Sequence, residues 1–147
     1  MVDKSDALSF DKQICFSLYS ASNAMIRAYR PLLQELDLTY LQYIVMMVLW
    51  EEEGVSVSAL GQRLHLDSGT LTPLLKRLEV KGLVIRKTSK KDERVKSLFL
   101  TDAGQALKVA ASHIPEKILC QTCMPLENLQ ALKQLCDSLM LSLGNSE

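Results

Sequence analysis

The chain has 147 residues, 23% charged and 48% hydrophobic, and its 17 basic and 17 acidic side chains cancel to a net charge of zero. That length suits one domain, 1–147, able to bury a core without staples, and the longest unbroken apolar run, Tyr43 to Trp50, is far too short to span a membrane. The charged start MVDKSDALSF lacks an apolar signal segment, so the four cysteines are expected in a cytoplasmic protein, as thiols rather than a disulfide framework.

In chain order, Ile14, Leu18, Ala21, Met25 and Ala28 recur at helical spacing, and Cys15, Tyr19, Ser22, Ile26 and Tyr29 form a neighbouring stripe. Together they predict a long helix over about 9–36. Thr39-x-x-Gln42 matches a capping box and opens a second helix to about Glu52, which Gly54 ends. Ser56 caps a short helix carrying Val57, Leu60 and Leu64, and His65-Leu66 is a tight turn into the next. There Leu71, Leu74, Leu75 and Leu78 share one face, Asp67 or Ser68 serves as N-cap, and Gly82 is the stop. Pro73 falls early, where its missing N–H is least costly. Leu83 to Arg86 and Val95 to Leu100 read as strands joined by the polar turn Lys87 to Arg94. Thr101 then caps a helix to about Gln121 with a kink at Pro115, and Pro125 opens a last helix to about Leu143.

Helix, turn, helix and a two-stranded wing outline a winged helix-turn-helix lobe at 55–100, in a mainly α fold with a small β-wing. Between Leu60 and Arg94 nine Lys or Arg face four acids, a net of +5 inside a neutral chain, which suggests a polyanion docked at one face. The bland alternative for such a run is a solvated surface. Leu126, Leu129, Leu132, Leu135, Leu139 and Leu143 stripe the last helix, more apolar surface than one small winged domain covers. The helices at 9–36 and 101–143 are therefore expected to form a dimerisation domain in a two-fold homodimer, whose paired recognition helices demand a pseudo-palindromic duplex.

The segment Leu66 to Leu78, with Asp92-Glu93-Arg94, closely resembles the MarR family of dimeric bacterial repressors. Gln13 to Tyr19, Tyr29 to Leu33 and Leu38 to Tyr43 resemble the sensor region of its organic-hydroperoxide-sensing, OhrR-like branch. The resemblance implies that Ser68, Thr70 and Arg77 contact bases or phosphates, and that Arg94 enters the minor groove with Asp92 orienting it. Short hydroxyls at a helix tip approach the backbone closely, and a narrow minor groove attracts guanidinium. Thr72, Arg86, Lys90 and Lys91 complete the expected DNA surface. Capping for Ser68 or Thr70, and a surface salt bridge for Arg94, are the structural alternatives.

The same resemblance makes Cys15 a peroxide sensor, with Tyr29 and Tyr40 as phenolic donors to its thiolate, and Phe16 and Tyr19 as pocket walls beside Ile26. A sensing thiolate needs stabilisation, and a position within about two turns of a helix N-terminus supplies some. The alternative is a small buried hydrophobe. Sulfenic acid is reversible when a second thiol traps it, and two-cysteine members of the branch form a disulfide between the sensor and the partner chain in the region of Cys120 and Cys123. Either could serve. Cys136, in the leucine-rich face, is expected in the core; zinc would need two ligands beyond Cys120 and Cys123, with only His113 and Cys136 near, and His65 is isolated. No metal or cofactor is expected.

Three functions compete. The first is a repressor released when an organic hydroperoxide oxidises Cys15. The second is a MarR-type repressor released by a non-covalent aromatic or phenolic ligand. A thiol peroxidase is the third, with no cofactor motif to support it.

Overall fold

The computed structural model describes residues 4–144, so the outermost positions of the expected 1–147 domain lie outside it. Two compact units make up the chain, the first running to Ser112 and the second beginning at His113.

In the first unit, α1 (Lys4–Ala7) and a 3-10 turn (Phe10–Lys12) precede α2 (Ile14–Gln34). The long helix thus starts five residues later than Ser9. Ser9 makes no capping bond, and the Gln13 side-chain amide donates to the carbonyls of Ala7 and Ser9, closing the preceding turn. α3 (Tyr40–Glu51) opens on the full capping box: Thr39 Oγ1 accepts from the Gln42 N–H, and Gln42 Oε1 from the Thr39 N–H. Then follow β1 (Val55–Ser56), α4 (Val57–Leu64), α5 (Ser68–Val80), β2 (Val84–Thr88), β3 (Lys96–Leu100) and α6 (Asp102–Ala111).

The sheet has order β1-β3-β2, antiparallel throughout, with Val84 opposite Leu100 and Thr88 opposite Lys96. β1 has only two residues, too few for an alternating pattern to show. α3 lies at the centre, packed against α2, α4, α5, α6 and β3. Val45, Met46, Leu49, Leu60, Leu71, Leu75, Leu78 and Leu98 are fully buried around it. Each such side chain contributes about 1.5–3 kcal/mol. Gly104 lets α6 approach the wing: a Cβ there would lie 2.3 Å from the Leu83 carbonyl oxygen.

In the second unit, α7 (Ile114–Thr122) and α8 (Leu126–Gly144) follow. The expected kink at Pro115 is a full break at Ser112–His113, with Pro115 in the first turn of a new helix, where its missing N–H has no partner to lose. Ile114 and Ile118 are buried, whereas α8 has no buried residue: Leu126, Leu132, Leu135, Leu141 and Leu143 are all exposed. The first half of α2 is similarly uncovered, with Ile14 66% and Tyr19 67% exposed. No helix among the described residues is long and apolar enough to cross a membrane.

Candidate DNA-binding face and thiol pocket

The recognition helix is fixed from below and at both ends. Leu71, Leu74, Leu75 and Leu78 are buried, so the opposite face of α5 must point outward. Asp67 is the N-cap, its Oδ1 accepting from the Thr70 N–H at 2.8 Å. Ser68 and Thr70 are therefore not spent on capping and sit exposed at the helix tip. Thr72 is half-buried, and Arg77 is exposed two and a half turns on. His65 takes the left-handed conformation (φ 55°) that turns α4 into α5, and Gly82 (φ 72°) turns α5 into β2.

The wing departs from expectation at Arg86. Its guanidinium makes two bonds to Glu79 of α5, Nε to Oε1 at 2.6 Å and Nη2 to Oε2 at 3.1 Å, and both side chains are largely covered. The bidentate pair takes two of the five guanidinium N–H donors and braces the wing against the recognition helix. Asp92 meets Arg94 at the backbone, its Oδ1 accepting the Arg94 N–H at 3.0 Å. Lys90 and Lys91 are exposed on the loop that the Ser89 to Val95 bond closes at 2.8 Å.

At the wing base a concavity of about 280 Å³ is lined by Ser56, Ser58, Arg86, Arg94 and Lys96 among others, with no carboxylate in its wall. Ser58 and Lys96 are additions to the sequence-derived surface. Lys96 lies two residues past the basic segment, and Ser58 is a short hydroxyl in a first helical turn, the same signal that marks Ser68.

Cys15 is the second residue of α2, exposed, beside the unpaired N–H groups of the helix start. Phe16 next to it stacks on Phe10, ring centroids 4.4 Å apart, and Phe10 had no signal beyond its type. Tyr29 and Tyr40 meet with centroids 5.2 Å apart, and Tyr43 lies 5.8 Å from Tyr29. Burial, then the neighbouring Tyr40 and Tyr43 phenols, push Tyr29 up to about 12; burial and Tyr40 push Tyr43 up as well. Both stay protonated donors at neutral pH.

Within one chain these tyrosines do not surround Cys15. Fourteen residues of the same helix separate Cys15 from Tyr29, which at 1.5 Å per residue is about 21 Å. The structure instead presents two halves. One is an exposed thiol with Phe16 and, a turn on, Tyr19; the other is a phenol pair beside a cleft of about 370 Å³ lined by Ile26, Arg30, Leu33, Leu38, Thr39 and Tyr40.

Cys120 is exposed in α7, and Cys123 caps that helix in the left-handed conformation (φ 53°), its Sγ 3.6 Å from the Cys120 carbonyl oxygen. Cys136 is only half-buried, on a helix with no buried residue, so it is not a core side chain of this chain by itself. Among the described residues no three His, Cys, Asp or Glu side chains cluster as metal ligands.

Residues 27–110 match the family model described as transcriptional regulator SarA/Rot. The chain is 52% identical over 129 residues to the HTH-type transcriptional regulator TtmR of Methylorubrum extorquens, covering 88% of this chain and spanning 66% of that relative's length. It is 43% identical over 143 residues to the organic hydroperoxide resistance transcriptional regulator of Bacillus subtilis, covering 97% of each. Among solved structures it resembles AbfR of Staphylococcus epidermidis. Reduced AbfR bound to DNA superposes with a TM-score of 0.78 at 33% identity, over 96% of this chain and 99% of that one. Disulfide-formed AbfR gives 0.65 at 36%, over 93% and 96%.

Proposed function

The chain belongs to the MarR/SarA family of winged-helix, DNA-binding transcriptional regulators, and from that premise we propose that it is a homodimeric repressor released from its operator when an organic hydroperoxide oxidises Cys15. The separation of the two halves carries this reading. An exposed thiol at the start of α2 and a phenol pair formed by Tyr29, about 21 Å along that helix, with Tyr40 of α3 make one site only if a second chain runs antiparallel to the first. The exposed apolar faces of α2 and α8 supply the surface for such a pairing. In the dimer, Tyr29 and Tyr40 of the partner subunit donate to the Cys15 thiolate, and the helix N-terminus adds to its stabilisation.

The chemistry balances without a cofactor. The thiolate attacks the terminal peroxide oxygen and the O–O bond breaks; sulfur takes that oxygen with its hydrogen as sulfenic acid, and the leaving alkoxide takes a proton from solvent, equal to the one the thiol released on ionising, to depart as the alcohol. A thiol of Cys120 or Cys123 from the partner subunit then displaces water to form a disulfide. Relatives support the sequence of states: the Bacillus subtilis protein is a regulator of organic hydroperoxide resistance, and AbfR has been solved reduced on DNA and with a disulfide formed. Ser68, Thr70, Thr72 and Arg77 enter the major groove, and Arg94, Lys90 and Lys91 follow the minor groove and backbone.

The cleft beside Tyr40 favours one competing reading, release by a non-covalent aromatic ligand with Cys15 inert. Replacing Cys15 by Ser separates the two. Cumene hydroperoxide should release the wild type from a pseudo-palindromic duplex in a gel-shift assay and leave Cys15→Ser bound; unchanged release of Cys15→Ser would remove the thiol mechanism.

A further inference from the structure

We propose that Lys81 and Gln42 are positioning residues that tie the DNA-reading elements to the phenol half-site, an inference that rests on the redox reading above. Gln42 is the buried polar side chain among the described residues, 3% exposed. Its Oε1 accepts from two directions, the Thr39 backbone N–H at 3.1 Å and the Lys81 ammonium at 3.0 Å. The first bond closes the capping box that sets the opening turn of α3, where Tyr40 is the first residue. The second comes from the residue that caps the recognition helix. Lys81 also donates to the Asp37 carbonyl and lies 3.6 Å from the Asp37 carboxylate. Asp37 sits in the turn between α2 and α3 with a left-handed backbone (φ 53°), three residues before Tyr40. One ammonium therefore holds the segment leading into Tyr40 from two sides.

Two residues upstream, Glu79 holds Arg86 of the wing. The last turn of α5 is thus a junction, with Lys81 facing the phenol half-site and Glu79 facing the wing. A displacement of Tyr40 on oxidation reaches helix and wing together, because α5 moves as a rigid rod on a close-packed core that switches rather than bends. The bond is not idly lost: without Lys81, Gln42 Oε1 keeps the Thr39 N–H, and the stronger, charge-assisted of its two bonds is gone. A plain stabilising role would hold α5 in place equally in both redox states; a coupling role makes the redox states differ.

The test measures operator Kd before and after one equivalent of cumene hydroperoxide per Cys15, together with the rate of Cys15 thiol loss. It uses the wild type, Lys81→Met, Gln42→Leu and Gln42→Glu. Cys15 thiol loss is followed to completion in all four, so that each oxidised Kd belongs to a fully oxidised protein whatever a variant does to the rate. The ratio of oxidised to reduced Kd should fall about tenfold in Lys81→Met and Gln42→Leu, the scale of one charge-assisted hydrogen bond. Gln42→Glu keeps both acceptor roles and should keep the wild-type ratio. Should Lys81→Met fail to fold, Gln42→Leu alone decides. A variant that weakens both redox states equally, leaving the ratio intact, overturns the linkage in favour of simple stabilisation. A wild type that holds DNA after complete Cys15 oxidation refutes the switch itself, and the linkage with it.

Discussion

Glu79→Gln sets two physical expectations against each other. The substitution removes a negative charge from the DNA-facing lobe, so long-range electrostatics alone would tighten binding. The brace predicts the opposite, because Glu79 accepts both Arg86 bonds and a neutral amide cannot hold the fork in the same way. Exposed pairs contribute about 0–1 kcal/mol, and breaking a buried one costs about 3–5. With the Arg86 and Glu79 side chains 21% and 28% exposed, the brace falls between these limits. A value of about 1–2 kcal/mol corresponds to a factor of about 5–30 in the population of the correctly set wing. Fluorescence anisotropy with an operator duplex should therefore show Kd rising by at most about 5–30-fold, because the apparent Kd scales with the inverse of the fraction of wings correctly set. The slope of log K against log salt should stay unchanged, since no phosphate contact is removed. Binding as tight as the wild type, or tighter, would refute the bracing role and return Arg86 to the DNA surface.

Lys96→Gln should behave differently: if Lys96 at the wing base meets a phosphate, its loss from both subunits weakens all duplexes alike and lowers the salt slope by about 1.8, or about 0.9 per subunit. A slope identical to the wild type would exclude that contact. Tyr29 gives a pH prediction. Its folded pKa, about 12, lies above the ordinary phenol value, so its contribution to stability is complete below about pH 10 and is lost as pH rises toward 12. Thermal melting of the wild type should fall across that alkaline window, Tyr29→Phe should flatten part of the fall, and identical profiles would contradict the burial of the phenol.

Boundary chemistry made much of the fold legible. Thr39 with Gln42, Ser56, Asp67, Gly82 and Thr101 each stand where an element begins or ends, and the four leucines of α5 are all buried. These signals act within a few residues, so sequence reveals them. The long helix begins later than the expected 9 because Phe10–Lys12 forms a separate 3-10 turn, which the Gln13 side chain closes ahead of α2. Arg86 looks like any other basic residue of the wing. Only the packing of β2 beside α5 shows that Glu79, seven residues back, claims it. The Cys15 and Tyr29 stripe is correct as a shared helix face, yet a shared face spans the whole helix length, and fourteen residues of rise hold the two groups apart. If a second chain completes the site, as proposed, the sequence holds only its pieces and the exposed apolar faces of α2 and α8.

Mixed dimers test directly whether Cys15 reacts in a pocket completed by the phenols of the other subunit. One chain carries Cys15→Ser with intact tyrosines; the other keeps Cys15 but carries Tyr29→Phe and Tyr40→Phe. Single-turnover oxidation by cumene hydroperoxide, followed by loss of the Cys15 thiol, should be slow in the double-phenylalanine homodimer. It should return to the wild-type rate in the mixed dimer, where the remaining Cys15 faces unaltered tyrosines. A mixed dimer as slow as the double-phenylalanine homodimer would contradict the account.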